Sequence, residues 1–434
     1  MGKQRTQIRI FTKQTVAARS SPPARHCILT SMMPHALALA VEVATTVLAV
    51  AGMGYFVAAM IAARIFLAAR RKPLPAFAPS VSILKSLKGN DPGMLDAFRT
   101  HCRQDYAGDY ELLFGISTLA DPAAAAVTQL QREFPDRTIR LIECPQRLGT
   151  NGKVSTLTQL VPHAQNEFLL INDSDITVGP RYLERVMASF AQSPVERPLN
   201  PQPVGLVTAL YRGRAHQTLA SRFESIGISM DFAPAVLLAK WVEGGLHYGL
   251  GSTLAVRREA LERIGGYSVL VNHLADDYEL GARIAQAGYR VVLSPEVVET
   301  SIPDYTWREY FDHQIRWFRT VRDARPAGYF GLINTHGFTW AFLNVIASGL
   351  SPFSLWLLAL SFFLRITLSM LVGAEVLADR QVLPGLWLCP LRDLTAFGLW
   401  IAGFAGNTIE WRGERFTVRK GVLLKSDDHR SSHS

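Results

Sequence analysis

Five acidic residues in this chain stand where carboxylates can do chemistry. Asp91 follows the apolar run Val81–Leu87 across a Lys88-Gly89-Asn90 turn. Asp173-Ser174-Asp175 follows Phe168-Leu169-Leu170-Ile171, which sets two carboxylates at i and i+2 on one turn. Hard oxygen ligands so placed suit a Mg2+ or Mn2+ that a diphosphate also binds; the competing reading is a simple Asx turn. Asp276-Asp277-Tyr278 opens a helical stretch, Glu279–Ala287. Two acids there gain from the helix dipole, and one carboxylate crowded by another also raises the pKa of a general base. Gln314-Ile315-Arg316-Trp317 lies on an amphipathic stretch with Arg319 and Arg322. Alone, that stretch reads as a basic helix lying against anionic lipid.

Regular elements must carry these residues. Val81–Leu87, Tyr110–Ser117, Ile139–Cys144 and Glu167–Asn172 read as strands, and Pro92–Gln104, Pro122–Phe134 and Lys153–Leu160 as helices, two of them opened by proline. Their alternation predicts βαβ units and a mostly parallel sheet, whose ligands bind at the carboxyl ends of strands.

Apolar segments flank this region. Val43–Ala63 holds no ionisable residue and, at ~1.5 Å per residue, can cross a ~30 Å hydrocarbon core. Arg64, Arg70, Arg71 and Lys72 follow, the pattern of a cytoplasmic flank. Arg365 is the sole charge in Gly337–Gly373, and Pro384, Pro390, Arg392 and Asp393 interrupt Val382–Gly406. Phe338–Leu350 is too short to span and reads as interfacial or re-entrant. Phe353–Gly373 and Leu391–Thr408 are expected to form a hairpin around an outer loop near Asp379. The resulting division is a disordered basic tail over 1–33, a transmembrane helix over 34–70, and a cytoplasm-facing domain over 79–331. Interfacial and transmembrane helices over 337–408 and a basic cytoplasmic tail over 409–434 complete it. Met32 and Met33 stand just before the apolar helix, and a start there gives an ordinary membrane protein.

Composition narrows the function classes. The 434 residues are 48% hydrophobic, with mean hydropathy +0.12, which excludes a disordered chain. Lys and Arg number 45 against 36 Asp and Glu, a surplus suited to nucleic acid, anionic lipid or an anionic substrate. No interleaved aromatic and basic RNA-binding signature is present, so no nucleic-acid partner is expected. The four cysteines lie far apart without a C-x-x-C pair, against a disulfide framework or structural zinc.

As an ordered set between membrane helices, these signals resemble the family-2 and family-21 glycosyltransferases. The closer resemblance is to the ceramide glucosyltransferase family, family 21, in its bacterial form. It is carried by Leu84-Lys85 through Asp91-Pro92, Gly149-Thr150-Asn151-Gly152-Lys153-Val154, Asp173-Ser174-Asp175-Ile176 and Ala275-Asp276-Asp277-Tyr278. His313-Gln314-Ile315-Arg316-Trp317 is also similar, with Gln314 taken as the glutamine of the family's Q-x-x-R-W signature. Arg325–Tyr329 is similar to a stretch of hopanoid-associated lipid glycosyltransferases.

The resemblance implies an α/β fold of GT-A type, a mixed and mostly parallel sheet with flanking helices, plus transmembrane helices at both ends. It implies a membrane-bound enzyme of the bacterial inner membrane. That enzyme transfers a hexose, glucose first, from a UDP-sugar to the primary hydroxyl of ceramide or a similar lipid, with inversion. By the same resemblance Asp91 and Asp121 contact the nucleotide, Lys153 and Asp276 belong to the donor side, and Asp173 and Asp175 bind Mg2+ or Mn2+. Asp173 also helps position the ribose. Asp277 takes the acceptor proton, while Gln314, Arg316 and Trp317 line the donor and acceptor side, Arg316 offsetting charge on the leaving diphosphate. This chain departs from the animal enzymes, which have Asp-Ser-Gly where it has Asp-Ser-Asp; the extra carboxylate favours a direct metal site and loosens the inference about acceptor. A hopanoid N-acetylglucosaminyltransferase is the alternative. A family-2 polysaccharide synthase needs a channel built from more spanning helices than the C-terminal region supplies.

Overall fold

The computed structural model describes residues 26–91, 93–191, 202–411, 414–419 and 421–425, with side chains from Ala36 onward. The expected tail therefore lies outside the described residues up to position 25, and its remainder belongs to a helix, His26–Arg70. An eight-stranded sheet forms the core: β1 Val81–Ser86, β2 Tyr110–Ile116, β3 Thr138–Glu143, β4 Phe168–Ile171, β5 Ile176–Thr177, β6 Val204–Arg214, β7 Leu254–Arg257 and β8 Arg290–Ser301. Their order is β3-β2-β1-β4-β7-β6-β8-β5. β3, β2, β1 and β4 run parallel, as do β6 and β8, while β7 is antiparallel to both its neighbours. The GT-A-like mixed sheet expected from the sequence is the one found.

Alternate strand residues feed two cores. Leu84, Leu113, Leu169 and Ile171 join one cluster, and Ile83, Leu112, Phe114 and Leu170 join the other. Burial on both faces is why β1, β2 and β4 read as unbroken apolar runs. β1 sits between β2 and β4, so the strand order reverses there. The crevice beyond the carboxyl ends of β1 and β4 is where such a sheet holds a ligand.

Ala36–Arg70, Leu219–Val242 and Pro352–Val376 are each long and apolar enough to cross a membrane. The Gly337–Ala347 helix runs antiparallel to the first. A β-carbon added at Gly52 would lie 2.2 Å from Gly337 Cα, so the crossing tolerates no side chain. Farther along, Asn344 Nδ2 donates to Glu42 O, Thr45 Oγ1 and Thr46 Oγ1, each at 2.9 Å. The chain then reverses, and Pro352–Val376 returns beside the first helix until Arg70 Nη1 donates to Val376 O at 2.9 Å.

The loop expected to face outward around Asp379 is instead seated on the sheet domain, while Phe353–Gly373 packs on the first helix and Gly337–Ala347 and meets the Cys389–Gly403 helix through the Arg365–Asp393 ion pair. Asp379 is 2% exposed, accepting from Ser229 Oγ at 2.7 Å and Gln381 N at 2.9 Å. Arg212, near the end of β6, donates to Leu377 O at 2.9 Å. Hydroxyl, amide and guanidinium donors satisfy this loop more fully than an outer, solvent-facing position requires. The Cys389–Gly403 helix packs on Trp307–Ala324. Arg322 and Arg319 donate to Gly403 O and Ala405 O at 2.6 and 2.8 Å, capping orphan carbonyls at its end.

The stretch expected as a basic tail also folds. Thr408–Trp411, Glu414–Arg419 and Val422–Lys425 form an antiparallel sheet whose Ile409, Phe416, Val418 and Leu423 cluster with Leu274. Basic residues alternate with these apolar ones at period two, which conceals the strand when charge alone is counted. Leu423 N donates to Asn272 O, and Leu274 N to Gly421 O, at 2.8 and 3.1 Å. The small sheet thereby braces the loop that leads to Asp276.

Candidate active site

Asp91 and the Asp173-Ser174-Asp175 triplet meet at the reversal point. Ser174 Oγ donates to Asp91 Oδ2 at 2.6 Å, joining the two loops. Beneath the triplet, Asn172 Nδ2 donates to Ser252 O at 2.7 Å and Tyr182 Oη at 3.0 Å, while His101 Nε2 lies 3.2 Å from Asn172 Oδ1. Burial lowers the pKa of this histidine to about 3, so it serves as a neutral strut. Lys85, 1% exposed, donates to Asp173 O at 3.0 Å. Burial pulls its pKa down to about 7.

The two carboxylates of the triplet point to different neighbours. Asp173 Oδ1 accepts from Lys153 Nζ at 2.6 Å. Asp175 Oδ2 accepts from Thr300 Oγ1 at 2.5 Å and Ser301 N at 3.1 Å, at the end of β8. Burial, and then Asp173, raise the pKa of Asp175. Among the described residues no group of three or more His, Cys, Asp or Glu could by itself hold a metal ion. Two hard carboxylates with surplus negative charge do fit a cation whose remaining ligands come from a diphosphate.

Asp276 and Asp277 open the Asp276–Gln286 helix. That helix is pressed onto the preceding loop: Gly249 N donates to Asp277 O at 3.2 Å, and a β-carbon at Gly281 would meet Gly249 N at 2.2 Å. Asn151 caps the Gly152–Leu160 helix by accepting from Val154 N, and its Nδ2 donates to Asp276 Oδ1, both at 3.2 Å. Asp276 Oδ2 is buried without a hydrogen-bond partner, 3.9 Å from Lys153 Nζ. Burial opposes the charge on Lys153, yet Asp173 and Asp276 hold its pKa above the ordinary lysine range. Lys153 thus ties the triplet to the acid pair. Asp277 Oδ1 accepts from Tyr278 N at 2.8 Å. Burial, and then Asp276, push its pKa up to about 6. A β-carbon at Gly251 would stand 3.0 Å from Asp277 Oδ2 and 3.8 Å from Asp173 Oδ2; glycine keeps the space between them open. Tyr211, buried on β6, is within electrostatic reach of Asp277, Asp173 and Asp175.

Asp121 has a local task. Its oxygens accept from Gly89 N at 2.9 and 3.2 Å and from Ala123 N at 2.9 Å, fixing the β1 loop and the start of the following helix.

The Trp307–Ala324 helix separates residues that the sequence reading grouped. His313, Arg316 and Trp317 share a face at i, i+3 and i+4. Gln314 is buried to one side, its Oε1 accepting from Arg392 Nη2 at 3.2 Å. A guanidinium offers donors alone, so the oxygen of Gln314 must face it. Counting agrees with the geometry: the glutamine of a Q-x-x-R-W run stands three residues before the arginine, and that position here is His313.

A model of glycosyl transferase family 21 matches residues 44–424. The chain belongs to that family. Among curated family relatives, ceramide glucosyltransferase 3 of Caenorhabditis elegans is 23% identical over 359 residues, covering 79% of this chain and 73% of the relative. The beta-monoglucosyldiacylglycerol synthase of Trichormus variabilis is 25% identical over 221 residues, 49% of this chain and 43% of that one. In fold, the chain is similar to the mannosyltransferase of Pyrobaculum calidifontis, solved with GDP-mannose and Mn2+. Their TM-score is 0.51 at 20% identity, over 84% of this chain and 97% of the other.

Three contributors to this family-21 site were given no role in the sequence reading. Lys85 had a signal, a cation inside the otherwise apolar strand Val81–Ser86. Gly251 and Tyr211 had none, because their importance lies in what they face across the sheet.

Proposed function

We propose that this chain is a membrane-bound inverting glycosyltransferase. It moves a hexose, glucose first, from a UDP-sugar to the primary hydroxyl of ceramide or a similar membrane lipid. The observation that carries the reading is Asp277: a half-buried carboxylate whose pKa is pushed up to about 6, facing open space beside Asp173. Such a group is poised near neutrality to take a proton from an attacking hydroxyl, an effect of about 10²–10⁴-fold. A single base acting on one hydroxyl, in one displacement, inverts the anomeric centre.

Asp173 and Asp175 are the residues that would hold a divalent cation, and that cation would offset charge on the departing diphosphate. The Mn2+ bound by the Pyrobaculum enzyme is in keeping with a divalent cation in this fold. Asp91, kept in place by Ser174, faces the nucleotide, and Asp121 shapes the loop on which Asp91 rides. Lys153 holds Asp173 and limits the mutual repulsion of the acids. Arg316 adds positive charge on the leaving-group side, and Trp317, 37% exposed, offers an apolar ring to substrate. The basic run Arg70-Arg71-Lys72 sets the catalytic domain on the cytoplasmic face, where UDP-sugars are found.

Purified protein in lipid nanodiscs, given UDP-glucose, UDP-galactose, UDP-N-acetylglucosamine and UDP-glucuronate with ceramide, diacylglycerol and a hopanoid alcohol, tests this. Mass spectrometry should find a monohexosyl lipid from UDP-glucose and ceramide. A soluble polymer, or no glycolipid at all, would defeat the reading.

A further inference from the structure

The Leu219–Val242 helix is apolar enough to cross a membrane, yet both its ends return to the sheet domain. The strand before it, β6, and the strand after it, β7, pair side by side. Gln217 N donates to Asp304 Oδ1 at 2.9 Å ahead of the helix, and Gly249 N to Asp277 O at 3.2 Å behind it. A segment so fastened cannot place its ends on opposite sides of a bilayer, so its apolar surface is immersed from one side. It lies along the first helix. Asp231 holds Arg365, whose guanidinium stands 5.7 Å from the centre of the Phe56 ring, and the far end of the segment closes on Ala62, Ile65 and Phe66. Both helices therefore run the same way, toward Arg70-Arg71-Lys72, which by the orientation proposed above meets the cytoplasm.

At that end the two helices enclose a cavity of about 190 Å3. Ala62, Ile65, Phe66 and Leu237 give it apolar walls, and Lys240 and Trp241 also line it. Trp241 is 44% exposed, the placing of an indole at a membrane–water boundary. Lys240 is half-buried and has no ion pair among the described residues. The neighbouring acid, Glu243, pairs with Arg325 instead. The last carbonyls of the helix itself offer only fractional negative charge. Two comparisons within the chain set Lys240 apart. The enclosed lysines Lys85 and Lys153 each donate to an oxygen of Asp173. On the other flank of Ile65 a second apolar cavity carries both Arg64 and Glu375, paired at 3.1 Å and so balanced in charge. A lone cation at headgroup depth, against apolar walls, matches an amphiphile with net negative charge at the head of its hydrocarbon chains. A neutral acceptor lipid brings no charge to balance it, and a soluble phosphate has nothing to set against Phe66 and Leu237.

We propose that this cavity binds an anionic glycerophospholipid of the cytoplasmic leaflet. Its phosphodiester meets Lys240, and the upper part of one chain lies between Ala62, Phe66 and Leu237. The site depends on the membrane placement proposed above, and not on the sugar or the acceptor.

Full-length protein in mixed micelles of phosphatidylglycerol and phosphatidylcholine, with retained lipid read by native mass spectrometry, tests this. Wild type should hold one phosphatidylglycerol with about a fivefold preference over phosphatidylcholine, whose ammonium opposes Lys240. Lys240→Met should abolish the preference and Lys240→Arg should keep it, with unfolding temperatures unchanged. Arg71→Met, which alters a basic residue outside the cavity, should leave it whole. A phosphatidylglycerol with a diazirine high on one chain, cross-linked to wild type, should label the peptides that hold Ala62, Phe66 or Leu237. Equal retention of both lipids by wild type, a preference that survives Lys240→Met, or label confined to other peptides would overturn the proposal. So would displacement of phosphatidylglycerol by an equal concentration of ceramide, which would give the cavity to the acceptor.

Discussion

Two clusters of buried and half-buried charge lie in this molecule, and they are built in opposite ways. Beyond the carboxyl ends of the central strands, Asp173, Asp175, Asp276 and Asp277 gather around Lys153, with Lys85 beneath Asp173, four acids against two bases. Asp276 Oδ2 has no hydrogen-bond partner there, and Asp277 faces a gap kept clear by glycine. Between the helices, Arg365 and Arg392 meet Asp231 and Asp393, two against two. Arg365 reaches both oxygens of Asp393 at 3.0 Å, Asp231 Oδ1 at 2.5 Å and Met230 O at 2.7 Å, while Arg392 Nε reaches Asp231 Oδ2 at 2.9 Å. The second cluster is neutral and closed. The first has unsatisfied acceptors and excess negative charge, the condition expected where a cation and a reacting hydroxyl are to be received. Burial of charge does not by itself mark a functional site; incomplete compensation does.

The largest effect should come from the open cluster. Asp277→Asn preserves shape and removes the base, so kcat should drop about 10²–10⁴-fold while UDP affinity stays near wild type. Glycolipid formation and UDP binding, measured on one preparation, separate the two quantities. An equal loss of both would recast Asp277 as a donor-binding residue. The closed cluster should respond in stability instead. Arg365→Met strands buried carboxylates and should cost about 3–5 kcal/mol in reversible unfolding, whereas Arg365→Met with Asp393→Leu should recover most of that. Should the single change leave unfolding untouched, the cluster would not be the clamp described.

The difference between the clusters explains what could be read in advance. Strand ends announce themselves, because a fully buried parallel strand is a continuous apolar run and the residue after it is where chemistry sits. Asp91, Asp173 and Asp175 were found that way, and Asp276 and Asp277 as an acid pair opening a helix. The helix packing was hidden, since Arg365, Arg392 and Asp393 look in sequence like interruptions of membrane segments and not like partners for Asp231. Asp231 lies in a π-helical turn, Ile228–Phe232, a departure from regular spacing that no periodic pattern reports. The reading of Gln314 failed on spacing instead: two residues before Arg316, it falls on another face of the helix, where it packs against Arg392, 78 residues away.

A pH profile sharpens the contrast by a smaller measure. Asp277 works unprotonated, so kcat/KM should fall about tenfold per unit as pH drops below about 6. Its contribution to stability has the opposite sign. A carboxyl whose folded pKa lies above its unfolded value favours the folded state at low pH, and that contribution is lost as pH rises through about 6. Lys153→Met removes the nearby positive charge and should move the acid limb to higher pH. An unmoved limb would mean that a different group controls it.

The smallest expected effect separates Asp121 from the other strand-end acids. It has the same residue type and the same place after a strand, but its oxygens are already taken by Gly89 N and Ala123 N. In the terms of the comparison it is a closed carboxylate standing beside an open site. Asp121→Asn can present one oxygen to these amides but must turn its NH2 group toward one of the positions now filled by an acceptor. About 1 kcal/mol of stability should be lost, the usual worth of a side chain that satisfies the first turn of a helix. Because Gly89 belongs to the loop that precedes Asp91, donor KM should rise no more than about twofold, the residue of a slight loosening of that loop. Chemical denaturation and donor titration on Asp121→Asn check the two halves separately. A tenfold rise in donor KM with unfolding unchanged would show that Asp121 touches the nucleotide directly and that its backbone bonds yield when the donor arrives.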